Sequence, residues 1–436
     1  MSSRQPWIVF GVGVCAYVIA VMQRTSIGVA GVAGAERFHV SAALLSTLAV
    51  VQLIVYAGLQ IPVGVVIDRI GPRILLLVGT ALMGGGQLVV GISDHIAGAI
   101  GGRVLVGAGD AMIFTSVLRL ISSWFPSKRV PQLSQLLGNF GQGGQILSAI
   151  PFALILHESG WTLAFVSAAA ASAVILVSVF LAIKDRPEGA DSTLRPVGWR
   201  DSWRGFKASL AQPGTRLGFW SHFVSQSSGT VFTLMWGVPF MVFGLGLQPA
   251  LASGLLIVCG VAAVISGPFL GYLTYRFPLR RSDVVLGIVV MMGVAWSVVL
   301  LWPGVPPLWM VVILLVTIGI GGPGSLIGLD FARTSNPVRS LGSANGIVNS
   351  GGFFASFVMM YLIGVVLDLY SAGSSAPSLY TLDSFRVAFL VQYIVVGVGV
   401  FFLIRSRRRT REKLRSDQGI IVGPLWVAFA ERWRRG

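Results

Sequence analysis

Apolar residues along this chain come in runs of about 20, the length a helix needs to cross a bilayer, with short polar connections between them. Twelve runs can be read, near 7–30, 42–66, 74–93, 97–120, 131–156, 162–183, 217–243, 250–274, 284–302, 308–329, 344–367 and 387–404. A spanning helix closes its own backbone hydrogen bonds, so the pattern predicts an all-α membrane protein with 12 transmembrane helices. The first run holds Arg24 and outlasts a secretory signal core, with no small-residue cleavage pattern. A retained helix is expected there.

Of the 436 residues, 54% are hydrophobic and 11% charged, more apolar surface than one globular core can hide. The surplus must face lipid, which argues against a soluble enzyme. A net charge of +16 would suggest nucleic acid as partner in a soluble chain, but its placement points elsewhere. Of 32 Lys and Arg residues, 28 lie at Arg4, in the 67–73, 119–129, 184–216, 275–282 and 331–343 connections, or in the tail from Arg405. Arg37 and Arg386 fall on the other side, and Arg24 and Arg103 fall inside runs. This bias predicts a multi-pass inner (plasma) membrane protein with both termini cytoplasmic and no nucleic-acid partner.

Cys15 and Cys259 fall inside separate runs, with no metal-ligand spacing, phosphate-binding loop or nucleophile elbow anywhere. No catalytic residue, metal or cofactor is expected, and the chain reads as a monomer. Glycine runs such as Gly84-Gly85-Gly86 fit close helix packing instead.

The longest polar stretch, 184–216, contains Pro187, Pro196, Pro213 and seven basic residues and separates six runs from six. The expected organisation is an N-terminal six-helix bundle over 1–183, a linker over 184–216, a C-terminal bundle over 217–404 and a basic tail over 405–436. Within the linker Trp199, Trp203 and Phe206 alternate with Arg200, Arg204 and Lys207, a pattern for a short amphipathic helix on the inner leaflet or a disordered basic segment. The tail's Ile420–Ala430 stretch is too short to span, leaving an interfacial anchor or a disordered tail. A repeat supports two halves: the segment from Gly64 to Arg73 closes the second run and that from Gly271 to Arg280 closes the eighth, in register when Tyr275 stands for Asp68 and Pro278 for Gly71.

The first of these segments, Gly64, Asp68, Arg69, Gly71 and Arg73, resembles the signature loop of the major facilitator superfamily, Gly-x-x-x-Asp-Arg-x-Gly-x-Arg. The resemblance implies two six-helix bundles with pseudo-two-fold symmetry, transport by alternating access, and a gating role for these five residues and Arg276 of the repeat. Asp68 is expected to cap or pair with a helix end or a basic residue when the inner side is closed. In the fourth run, Arg103 to Asp110 looks like the superfamily's Arg-x-x-x-Gly-x-Gly motif followed by an acid. With Tyr17, Arg24 and the segment Trp124 to Arg129, the pattern is similar to the anion:cation symporter group, which implies proton-coupled symport of an organic anion. That group often has an acid just before the first-helix arginine, where this chain has Gln23.

Ionisable groups at membrane depth call for a function or a partner. Arg24 and Arg103 each stand about six residues from the outer ends of their runs, roughly 9 Å deep at 1.5 Å per residue. They are expected to bind a carboxylate, with Asp110, two turns beyond Arg103, as proton carrier. The bland alternative is a permanent Arg24–Asp110 pair. Further substrate-binding candidates are Tyr17, Gln23, Asn139, Gln142, Trp236, Asn345 and Asn349, and His222 is a second proton candidate. The expected partners are a small anionic molecule, protons and the lipid bilayer. The rival reading is a proton-coupled multidrug antiporter, although the Gly-Pro element of drug exporters is missing from the fifth run.

Overall fold

A computed structural model describes residues 4–40, 42–187, 198–372 and 381–422. The described chain is nearly all helical: α1 (Gln5–Val29), α2 (Gly31–Phe38), α3 (Ala42–Ile70), α4 (Pro72–Ile92), α5 (Ile96–Trp124), α6 (Val130–Leu147), α7 (Ala153–Ala182) and α8 (Trp199–Ala211) come first. Then follow α9 (Pro213–Val231), the single turn α10 (Gly237–Pro239), α11 (Pro249–Arg276), α12 (Arg281–Leu301), α13 (Leu308–Ser335), α14 (Leu341–Ala372), α15 (Leu382–Phe389) and α16 (Val391–Gln418). Proline opens α1, α4, α6, α9 and α11, where its fixed φ suits the first turn and its missing N–H costs nothing.

Among the described residues, eleven helical stretches are long and apolar enough to cross a membrane. One of them, Val130–Ala182, is 53 residues long, about twice what a bilayer needs. It is not straight. Gly160 adopts φ 81° and ψ 178°, outside the helical region and open only to glycine without strain. Phe152 and Phe165 bring their rings to 5.2 Å, although thirteen residues of straight helix would hold them roughly 20 Å apart. The chain therefore doubles back at Gly160. Large side chains such as Val174, Phe180, Ile257, Ile265, Val290 and Ile394 stand exposed on helix faces, a surface suited to lipid.

The chain separates into two compact units, 1–209 with 337–347 and 210–336 with 348–436. In the first, the part of α7 after Gly160 runs antiparallel to α4. Trp161 Nε1 donates to the Val90 carbonyl at 2.9 Å near one end, and Arg73 donates to the Phe180 carbonyl at 2.8 Å near the other. In the second, Phe232, Phe240, Trp296, Phe385 and Phe389 form an aromatic core, and the Trp296 indole donates to Ser228 at 2.9 Å.

Two boundaries depart from the sequence expectation. The seventh run begins at Pro213, inside the stretch read as linker, because proline starts the helix there. The last helix does not stop at 404 but carries the basic residues on to Gln418, and Arg407 and Arg411 both pair with Asp283 at the start of α12. In the linker an amphipathic helix, α8, is present, while residues 188–197 and most of the apolar tail stretch, from 423, lie outside the described residues.

Candidate functional site

The ionisable groups gather in the first unit, where α1 and α5 run antiparallel: Gly13 faces Val117, the Tyr17 ring meets Phe114 at 5.0 Å, and Arg24 reaches Asp110. Helical side chains lean toward their own N-terminus. On antiparallel neighbours that lean sends Arg24 toward the later residues of α5 and Arg103 toward the later residues of α1.

The consequence is an asymmetric pair of arginines. Arg24 donates from Nε to Asp110 Oδ2 at 2.6 Å and from Nη2 to Asp110 Oδ1 at 2.8 Å, the bidentate geometry that planar guanidinium and carboxylate favour. Asp110 is fully buried, whereas the Arg24 side chain keeps 29% of its surface exposed. Its guanidinium also lies 4.8 Å from the centroid of the Tyr56 ring, a cation–π seat. The Tyr17 phenol is within electrostatic reach of both charges.

Arg103 is placed differently from the expectation of a second anion ligand. It is fully buried, and it donates to the carbonyls of Gln23 at 3.2 Å and Arg24 at 3.1 Å, to Ser26 Oγ at 3.4 Å and to Gln52 Oε1. No carboxylate reaches it among the described residues. Its guanidinium ties α5 to α1 and α3, and its charge stays uncompensated by direct contact. Gly107 of the same motif admits α3, since a Cβ there would lie 2.5 Å from the Gln52 carbonyl oxygen.

Gln23 also departs from its expected role as a substrate ligand. Fully buried, it turns away from Asp110 and donates to the Ala168 carbonyl at 2.8 Å and Ser172 Oγ at 2.6 Å, both on α7. Gln142 accepts from Gln145 at 2.8 Å on an exposed face of α6, and Asn139 is half-buried one turn earlier. Trp236, Asn349 and His222 belong to the second unit. There the Trp236 indole donates to the Met360 carbonyl at 3.1 Å, and buried His222 accepts the Gly352 N–H on Nδ1 at 3.2 Å. That bond makes His222 a tie between α9 and α14. Asn345 and Asn349 are both buried along α14.

At the far end of α3, Asp68 accepts the backbone N–H groups of Gly342 and Ser343, each at 2.8 Å, and the Ser343 hydroxyl at 2.8 Å. These are orphan donors of the first turn of α14, so Asp68 caps that helix from another one and meets its positive end. A Cβ on Gly64 would lie 2.5 Å from the Gly342 carbonyl oxygen, so this crossing requires glycine. Gly71 makes the following turn at φ 85°; Arg73 donates its backbone N–H to Asp185 at 2.8 Å, and Arg276 is exposed at the end of α11.

Sequence reasoning passed over Gln52, Tyr56 and Gln60, yet with Gly64 and Asp68 they stand every fourth residue along α3, a polar ridge in an apolar helix. That spacing was the available signal. Arg119, buried near the end of α5 with its charge acting on Asp68, was also missed, having been counted with a charged connection.

Comparisons with known proteins bear on this arrangement. The chain is 23% identical over 393 residues to the oxalate:formate antiporter of Oxalobacter formigenes, covering 87% of each. It is 22% identical over 434 residues to the probable sulfoacetate transporter SauU of Cupriavidus necator, covering 90% of this chain and 91% of that one. These relatives are transporters by name, not enzymes. The Major Facilitator Superfamily profile matches residues 13–322 and again 218–435, and with those matches over an all-helical, membrane-length architecture, the chain belongs to that superfamily.

Proposed function

We propose that this protein is a secondary transporter of small organic anions, carboxylates above all, working by proton-coupled symport and alternating access. One observation carries the reading: two guanidiniums and a single carboxylate stand on α1 and α5, a formal charge of +1, and it is the arginine with an exposed edge, Arg24, that alone holds the carboxylate. An anion arriving at Arg24 competes with Asp110 for the same cation. A proton on Asp110 releases Arg24 to the substrate, so binding and protonation favour one another. Oxalate, formate and sulfoacetate, the anions in the names of the relatives above, carry the negative charge that a guanidinium with an exposed edge would take.

In this reading the long stretch counts as two crossings joined at Gly160, twelve in all, and the inward bias of the basic connections supports cytoplasmic termini in an inner-membrane protein. Asp68 on the first turn of α14, with Gly64, Arg69, Gly71 and Arg73 of the same unit, forms the gate, Arg276 of the repeat takes the matching part in the second unit, and the cap must release when the inner side opens.

The test is uptake of radiolabelled oxalate, formate and sulfoacetate by the purified protein in proteoliposomes, with and without a pH gradient. Accumulation driven by the gradient, and lost in Arg24→Ala, supports the proposal. Uptake that depends only on an anion loaded inside the vesicle would replace symport by anion exchange. Transport of lipophilic cations with indifference to every carboxylate would sink the anion reading.

A further inference from the structure

α8 is divided lengthwise into three faces. At about 100° per residue, Ser202, Gly205 and Ser209 share one arc, Trp203, Phe206 and Leu210 the next, and Arg200, Arg204 and Lys207 the one beyond. The first arc is packed: Ser202 and Ser209 are buried, and Gly205 faces Ser340. The middle arc is apolar and outward, with Trp203 52% and Leu210 43% exposed, Phe206 half-buried, and the Trp203 and Phe206 rings edge to face at 5.6 Å. The third arc is cationic and exposed, and among the described residues only Arg204 of the three is tied, at 3.3 Å, to Asp201.

The position of α8 is fixed as well as its faces. Gln212 alone separates it from Pro213, where a membrane-length helix begins. Arg216, in the first turn of α9, donates to the Leu210 carbonyl at 2.8 Å, and Lys413 donates to Gln212 at 2.8 Å. Chain continuity therefore keeps the end of α8 one residue from the start of a membrane-length helix.

We infer that α8 is an interfacial element that seats Trp203, Phe206 and Leu210 in a bilayer and binds anionic phospholipid headgroups through Arg200, Arg204 and Lys207. The apolar arc lies between the packed and cationic arcs, the order a helix needs to lie on its protein, dip into acyl chains and meet headgroup phosphates. The occupant is set by charge: three exposed cations border an apolar stripe one residue from a membrane-length helix.

Hydrogen exchange of the full chain in nanodiscs tests this. Replacing about one third of the phosphatidylcholine by phosphatidylglycerol should slow exchange of the 200–211 amides by about tenfold or more. The triple variant R200Q, R204Q, K207Q should lose that response while α4 and α5 exchange as before, which keeps misfolding from mimicking the result. Trp203→Ser should lose protection in both lipid compositions. Equal exchange of the wild type in the two compositions would overturn the inference. So would equal protection by inorganic phosphate in detergent, which would make the site one for soluble anions and not a membrane seat.

Discussion

Arg24 and Asp110, 86 residues apart in sequence, meet edge to edge through two hydrogen bonds, the carboxylate fully buried and the guanidinium partly open. If this pair were only a strut, a neutral acceptor in place of the carboxylate would weaken the fold and leave coupling alone. If Asp110 carries the proton, Asp110→Asn should keep substrate counterflow yet reduce pH-driven accumulation by about tenfold or more, since the amide cannot take up a proton. Both rates are read in the same proteoliposomes. Accumulation that still follows the pH gradient would remove Asp110 from the coupling step.

The two arginines should fail in different ways. Arg24→Lys keeps a cation but loses the bidentate fork and the stacking on Tyr56, so KM should rise by about tenfold while thermal stability holds. Arg103→Met removes a guanidinium that serves two carbonyls of α1 and the Gln52 amide. It leaves those acceptors unpaired, which should cost about 2–4 kcal/mol in unfolding. Thermal unfolding in detergent beside the transport KM separates the two; a raised KM with unchanged stability in Arg103→Met would return that residue to the substrate.

How much of this was visible beforehand differs by level of structure. Membrane-length helices, the acid and arginines at membrane depth, and the cap-forming Asp68 were legible, because lipid penalises any polar group that lacks a reason to be there. The doubling back at Gly160 was anticipated only as a gap between two apolar runs. The Arg24–Asp110 pair was one of two readings the sequence left open; what stayed hidden was the partner set of Arg103, which the antiparallel packing of α1 on α5 turns onto the Gln23 and Arg24 carbonyls. The α3 ridge from Gln52 to Asp68 was readable as spacing, but uncharged amides and a phenol also serve as hydrogen-bonding links in ordinary membrane-helix packing, so they drew less notice than ionised groups.

Gln23 offers a sharper check, because an acid just before the first-helix arginine is what the resemblance led one to expect. In this chain the side chain at 23 faces a carbonyl and a hydroxyl on α7, not Asp110. Gln23→Glu would set a carboxylate against the Ala168 carbonyl. The variant should lose about 1–3 kcal/mol of stability and gain no proton coupling. Proton-to-substrate stoichiometry measured in vesicles decides; a rise would mean that position 23 reaches the transport path.

The cap on α14 gives the last expectation. Asp68 meets two backbone N–H groups with two charged oxygens, whereas Asn offers one neutral oxygen and turns an N–H₂ toward the donors. Losing the charge at a helix N-terminus should cost about 1–2 kcal/mol. The Gly342 and Ser343 amides of Asp68→Asn should then exchange with solvent roughly ten times faster. If the cap is the gate, transport should change along with exchange, whereas a purely structural cap predicts faster exchange at an unaltered transport rate. Gly64→Ala tests the same crossing by bulk: its Cβ cannot stand 2.5 Å from the Gly342 oxygen, so the two backbones must part and the cap lengthen. An alanine variant with wild-type exchange at Gly342 and Ser343 would show that the crossing tolerates separation and that the aspartate holds the helix start unaided.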